Sequence, residues 1–167
     1  MIRLGSMVAV MLCGACGDGS SSESEAEIER DIAMVERANN AEPPVRQVTP
    51  EPILYPDIEE NDLYGRSCNY APGTSLGTRV IARRDDAFIK IDDEMVRLAA
   101  DPGSGDLPAD TRSLYDGREY SLRLRIDGDG QPATDSEEVM EYHGTISLRD
   151  QWGRVVYDGA GLVQCGA

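Results

Sequence analysis

The sequence predicts an all-β domain, a small antiparallel sandwich or barrel closed by a disulfide. A signal peptide and a flexible, partly helical acidic tether precede it. Three observations carry this expectation. Beyond Gly65 apolar residues alternate with polar ones, most cleanly over residues 120–126, where Tyr120, Leu122, Leu124 and Ile126 point one way and Ser121, Arg123 and Arg125 the other. About six or seven short runs of this kind, separated by Gly, Asp and Pro, have the spacing of an antiparallel all-β fold. One cysteine stands near each end of the region, Cys68 and Cys165.

At the start of the chain, Arg3 is followed by an apolar run over residues 7–12 and by the small pair Gly14-Ala15. This is the layout of a secretory signal peptide, and the run is too short to span a bilayer. The next residue is Cys16, and Leu12-Cys13-Gly14-Ala15-Cys16 resembles the lipobox of bacterial lipoproteins. That resemblance implies removal of residues 1–15 and acylation of Cys16, with plain secretion as the alternative. Removal takes away Arg3 and no acid, so the formal charge of -15 becomes -16. Such a balance argues against nucleic acid, whose phosphates demand basic patches, and against direct docking on anionic head groups. A charged protein partner should be basic, although net acidity also simply keeps an exported chain soluble. With Cys13 removed and Cys16 acylated, Cys68 and Cys165 remain, and an even pair in an exported chain forms a disulfide. A loop of that size contributes about 4 to 5 kcal/mol in the chain-entropy model.

Residues 16–56 read as the tether. Residues 17–25 are Gly, Ser, Asp and Glu in the main and cannot bury enough surface to order themselves. Ser24 and Glu27 have capping-box spacing, and Ile28, Ile32 and Val35 share one helical face, which predicts a short helix over about residues 25–38. Its stripe would dock on the domain or on a partner. Residues 42–56 hold five of the nine prolines and read as a semi-rigid spacer. The β domain is expected over residues 57–167. It opens with a brief helical turn after Pro56 that offers Ile58 and Leu63 for packing.

Strands are expected at residues 80–82, 88–91 and 95–98, the last two joined by the turn residues Asp92-Asp93. Residues 101–110 read as loop because Pro102, Gly103, Gly105 and Pro108 break regular structure. The strand at 120–126 should end at Asp127-Gly128-Asp129-Gly130, where an acidic loop runs to about residue 138. Further strands are expected at 143–149, 154–157 and 162–165, the last two separated at Asp158-Gly159.

Candidate chemistry is sparse. Asp127, Asp129, Asp135 and Glu138 fall at calcium-loop positions 1, 3, 9 and 12, but Pro132 stands where the loop's sharp turn needs glycine, so a solvated acidic loop is the better account. His143 is the sole histidine, read as a surface or edge residue. No Gly-x-Ser-x-Gly surrounds Ser67, Ser113, Ser136 or Ser147. Glu59-Glu60, Asp85-Asp86 and Asp92-Asp93-Glu94 read as charged turns rather than facing glycosidase carboxylates. Arg83-Arg84, with Arg123 and Arg125, form a basic stripe or, as the favoured reading, pair with acids across strands.

Cys68-Asn69-Tyr70, residues 88–92, 96–101 and 115–120, and the closing Cys165-Gly166-Ala167 make residues 57–167 resemble a family of uncharacterised small lipoproteins of alphaproteobacteria. The resemblance implies an envelope location and no known activity. A more distant likeness is to the membrane-bound inhibitors of c-type lysozyme, which share the lipobox, the acidic barrel and the terminal cysteines. That family's Ser-Gly-x-x-Tyr loop is absent, and Trp152-Gly153-Arg154 does not reproduce its downstream spacing, so no site residues carry over. The expected protein is a non-enzymatic, lipid-anchored envelope module. It faces the periplasm, with the outer membrane favoured, and binds an unidentified partner without a cofactor or metal. Lysozyme inhibition is the alternative, and an enzyme built around His143 is the distant third.

Overall fold

A computed structural model describes residues 21–75, 77–132 and 139–166. The chain divides into two compact units, residues 1–43 and 44–167. In the first, helix α1 (Ser21–Asn39) begins earlier than its sequence signals suggest. Ser24 and Glu27 thus lie within the first turns of the helix rather than capping it.

The second unit is a closed barrel. Its strands are β1 (Ser67–Pro72), β2 (Val80–Ala82), β3 (Asp86–Ile91), β4 (Glu94–Ala100), β7 (Leu114–Asp116), β8 (Tyr120–Pro132), β9 (Met140–Asp150) and β10 (Val155–Gly166). Each pairs antiparallel with the next around the ring, and β10 returns to β1. The strand order is up-and-down, with one inserted ribbon, β5 (Asp106–Leu107) with β6 (Thr111–Arg112), between β4 and β7. The choice between sandwich and barrel falls to the barrel because β1 pairs with both β2 and β10.

Eight strands enclose just enough space for side chains to fill, and they fill it here. Tyr70, Tyr115, Ile89, Leu98, Leu122, Leu124, Ile146 and Leu148 are all fully buried. The glycines of β9 and β10 permit the close approaches this requires. A Cβ at Gly144 would stand 2.8 Å from Val163 Cγ2, and one at Gly159 2.7 Å from the hydroxyls of both Tyr70 and Tyr157.

The strands differ from expectation at several places. Residues 154–157 and 162–165 belong to the single strand β10, because Gly159 and Gly161 pair within the sheet instead of turning. β8 continues past Asp127 to Pro132, its register slipping between Asp127 and Gln131 so that the glycines form an irregularity rather than an end. The stretch read as loop, 101–110, contains β5 and a 3-10 turn (Pro108–Asp110) whose Ala109 and Asp110 have positive φ, reversing the chain into β6. β1 supplies the first strand expected at Cys68, whereas β7 carries no strand expectation in the sequence. The β3–β4 hairpin is as expected, with Asp92 and Asp93 at φ 53° and 64°. Both are left-handed, as a two-residue hairpin turn of this hand requires.

The proline-rich stretch is not a free spacer from Val48 onward. The N–H groups of Val48, Glu51 and Ile53 donate to the carbonyls of Val156, Lys90 and Thr78, with Pro50 and Pro52 falling between donors. Val48 packs into the interior core, and beyond it the strap and α2 (Tyr55–Glu60) lie over the outer face of β2 and β3. There Ile53 and Leu63 form a second buried cluster with Ile81 and Phe88, and Ile58 packs against it. β3 is consequently buried on both faces. Asp57 ties the cover down, accepting from the Leu54 N–H at 2.8 Å and from Lys90 Nζ at 3.0 Å. Those two contacts hold the Asp57 carboxyl below its ordinary range, and Asp57 in turn raises Lys90.

Candidate functional site

Cys16 lies outside the described residues. Cys68 and Cys165 are bonded to each other and are direct register partners across β1 and β10, so the disulfide sits on the seam that closes the barrel. The two cysteines are buried, which makes them structural rather than reactive.

The other chemical candidates do not converge. Asp127 is exposed on β8, opposite the exposed His143 of β9. Asp135, Glu138 and Ser136 lie outside the described residues, as does the side chain of Asp129. Among the described residues no group of three metal-ligating side chains comes together. Ser67 is buried at the start of β1, Ser113 accepts from the Gly105 N–H, and Ser147 lies on the barrel wall. Among the described residues Asp86 is the one deeply buried carboxylate. Burial pushes its pKa up, but Arg83, bonded at 2.7 and 3.0 Å, and Arg97, at 2.9 Å, outweigh this and hold it below the ordinary carboxylate range. It is a fastening, not an acid catalyst. The Tyr70 phenol is held well above its usual pKa by burial, then by Tyr157, and so stays protonated.

What stands out is how the arginines are partnered. Arg83 and Arg97 share Asp86, Arg46 reaches Asp92, and Arg112 and Arg154 reach Asp106 and Asp150. Arg66 and Arg84 both lie near Asp110. Among the described residues the expectation that Arg123 and Arg125 pair with acids is not met, because the register sets Leu114 and Ser147 opposite Arg123 and Thr145 opposite Arg125. Arg149 joins them on the same outer face, bonded only to the Gly153 carbonyl among the described residues. These three line a groove of about 430 Å³ together with Thr145, Ser147 and Asp158. Arg149 had no sequence signal, since its membership depends on cross-strand register. Arg83 and Arg84 are not part of this face.

A second concavity of about 350 Å³ lies between α2 and the barrel wall, with Tyr55, Tyr64 and Ile58 on one side and Asn69 and Gln164 on the other. The Tyr64 phenol is pushed up to about 12, first by its hydrogen bond with Tyr55 and then by burial.

No protein-family model, curated protein or solved structure matches the chain.

Proposed function

We propose that this chain is a lipid-anchored protein of the bacterial cell envelope, acylated at Cys16 and facing the periplasm, that works as a non-enzymatic binding module through the outer wall of its barrel. One observation supports the outer wall above all: buried side chains of the described residues fill the interior. Among the described residues a small ligand therefore finds no lumen to enter, unlike the carriers built on barrels of this strand number. Recognition falls to exposed side chains on the outside. Acyl chains on Cys16 would hold the protein to a leaflet, and the segment that follows would set how far the barrel reaches from it.

Intact mass spectrometry of membrane-extracted protein, alkylated with and without reduction, tests the anchor. The expected mass begins at Cys16 with acyl chains attached, and two thiols become alkylatable only after reduction. A mass that begins elsewhere, or one without acyl groups, overturns the anchoring. Photo-cross-linking from outer-wall positions of β8 and β9 tests the recognition surface. Partners that cross-link only through α1 overturn the assignment to the barrel wall.

A further inference from the structure

In a chain of formal charge -15, three arginines stand together on one outer face with no carboxylate bonded to them among the described residues. We propose that this groove binds an anionic saccharide, a sugar bearing carboxylate or phosphate groups. The inference deepens the outer-wall reading above and rests on it.

The register sets the spacing. Arg123 and Arg125 are two residues apart on β8, so they share a face at about 7 Å. Arg123 pairs with Ser147, and Arg149 lies two residues further along β9, a diagonal neighbour at about 7 to 8 Å. The three form a slanting row about 14 Å long rather than a single cluster. Each guanidinium offers a planar fork that fits a carboxylate or a phosphate. Like charges at this spacing repel one another, and an anion seated among them removes the repulsion. A row of separated forks suits anionic groups held at intervals better than one small ion.

The remaining lining residues choose among anions. Thr145 and Ser147 put hydroxyls on the β9 positions opposite Arg125 and Arg123. Asp158 of β10 pairs with Ser147 on its other side. A carboxylate at that point repels a dense polyanion such as nucleic acid, and an anionic bilayer surface too, yet it accepts hydrogen bonds from sugar hydroxyls. Val155 is the aliphatic residue of the lining, which is too little for a protein interface centred on apolar and aromatic anchors. The groove's volume of about 430 Å³ lies in the range of small-molecule sites.

Titration calorimetry of the mature chain at low ionic strength tests this with four probes: trigalacturonate, glucose 6-phosphate, maltotriose and inorganic phosphate. At least one of the two anionic sugars is expected to bind, at least about tenfold more tightly than inorganic phosphate, with no heat from maltotriose. Arg123→Gln/Arg125→Gln should weaken that binding at least about tenfold, since two of the three charged forks are removed. Both sites are exposed, and circular dichroism verifies the fold of the variant. Arg118→Gln, at an exposed arginine in the β7–β8 turn outside the groove, should leave affinity unchanged. Unchanged affinity in the double variant overturns the site. Inorganic phosphate binding as tightly as the sugars, or equal binding of maltotriose, overturns the ligand class. No heat from either anionic sugar at about 10 mM, a concentration at which even feeble site binding registers, overturns both. None of these outcomes bears on the acyl anchor or on cross-links elsewhere on the wall, so the proposal and the reading beneath it fail separately.

Discussion

Removing the seam disulfide should cost this barrel a large share of its stability. Cys68 and Cys165 are 97 positions apart, and a cross-link of that span removes about 4.7 kcal/mol of unfolded-chain entropy in the loop-closure model. Their sulfurs are also part of the buried core, so Cys68→Ala/Cys165→Ala loses a further 1 to 2 kcal/mol of packing, roughly. The expected total is about 6 to 7 kcal/mol, set against the 5 to 15 kcal/mol typical of a whole domain. Urea unfolding followed by fluorescence of Trp152, the one tryptophan of the chain, measures it. The two contributions leave different marks. Freeing the unfolded chain exposes more surface and raises the m-value, whereas a core cavity lowers the midpoint at constant m. The double variant should show both a lower midpoint and a higher m. A loss under about 1 kcal/mol at unchanged m would refute the reasoning, because it would mean that the β1–β10 hydrogen bonds close the barrel unaided.

Four further substitutions have outcomes that follow from the same geometry. Gly161→Ala places a Cβ against the Ala71 carbonyl and 2.8 Å from Pro72 Cα, so chemical denaturation should show a loss of about 1 to 3 kcal/mol. Gly77→Ala, whose Cβ would meet only Ser75 Oγ at 3.4 Å, should be close to neutral. Asp93→Gly relieves a left-handed backbone at φ 64° and keeps the N–H that donates to Glu51, and thermal unfolding should show a gain of about 1 kcal/mol. Asp86→Asn should cost about 3 kcal/mol at pH 7 by breaking a buried charge pair. The folded Asp86 carboxyl is held below its unfolded value of about 3.9, so its contribution is complete above that value and lost as pH falls through the folded one. Stability measured from pH 7 to pH 2 should therefore decline less steeply at the acid end in Asp86→Asn than in the parent chain.

Much of the barrel is legible in local pattern. The alternation of Leu122, Leu124 and Ile126 marks an inner face, and those residues do line the core or pack against it. Asp92-Asp93 marks a reversal, since short polar side chains tolerate the left-handed region better than most. The cysteine pair marks the two ends of one closed unit, and the bond forms between them. Glycine was the misleading signal. At Gly159 and Gly161 it serves close packing inside a strand, and at Gly128 it serves a register slip, yet in sequence these look the same as turns. Proline misled in a similar way. The strap that covers β3 carries no periodicity, and its donors at Val48, Glu51 and Ile53 find their acceptors only once the barrel exists.

Alternation, turn chemistry and cysteine parity are properties of residues within a few positions of one another, or of simple counting, and these set the all-β class, the β3–β4 hairpin and the disulfide from sequence. Closure and register are different in kind, because they depend on pairing between residues separated by tens of positions. One step of register changes which side chain stands opposite which. The acid that answers Arg46, Asp92 far along the chain, and the lack of any opposite Arg123 and Arg125 among the described residues, were therefore decided in the folded chain, where Ser147 and Thr145 occupy the facing places.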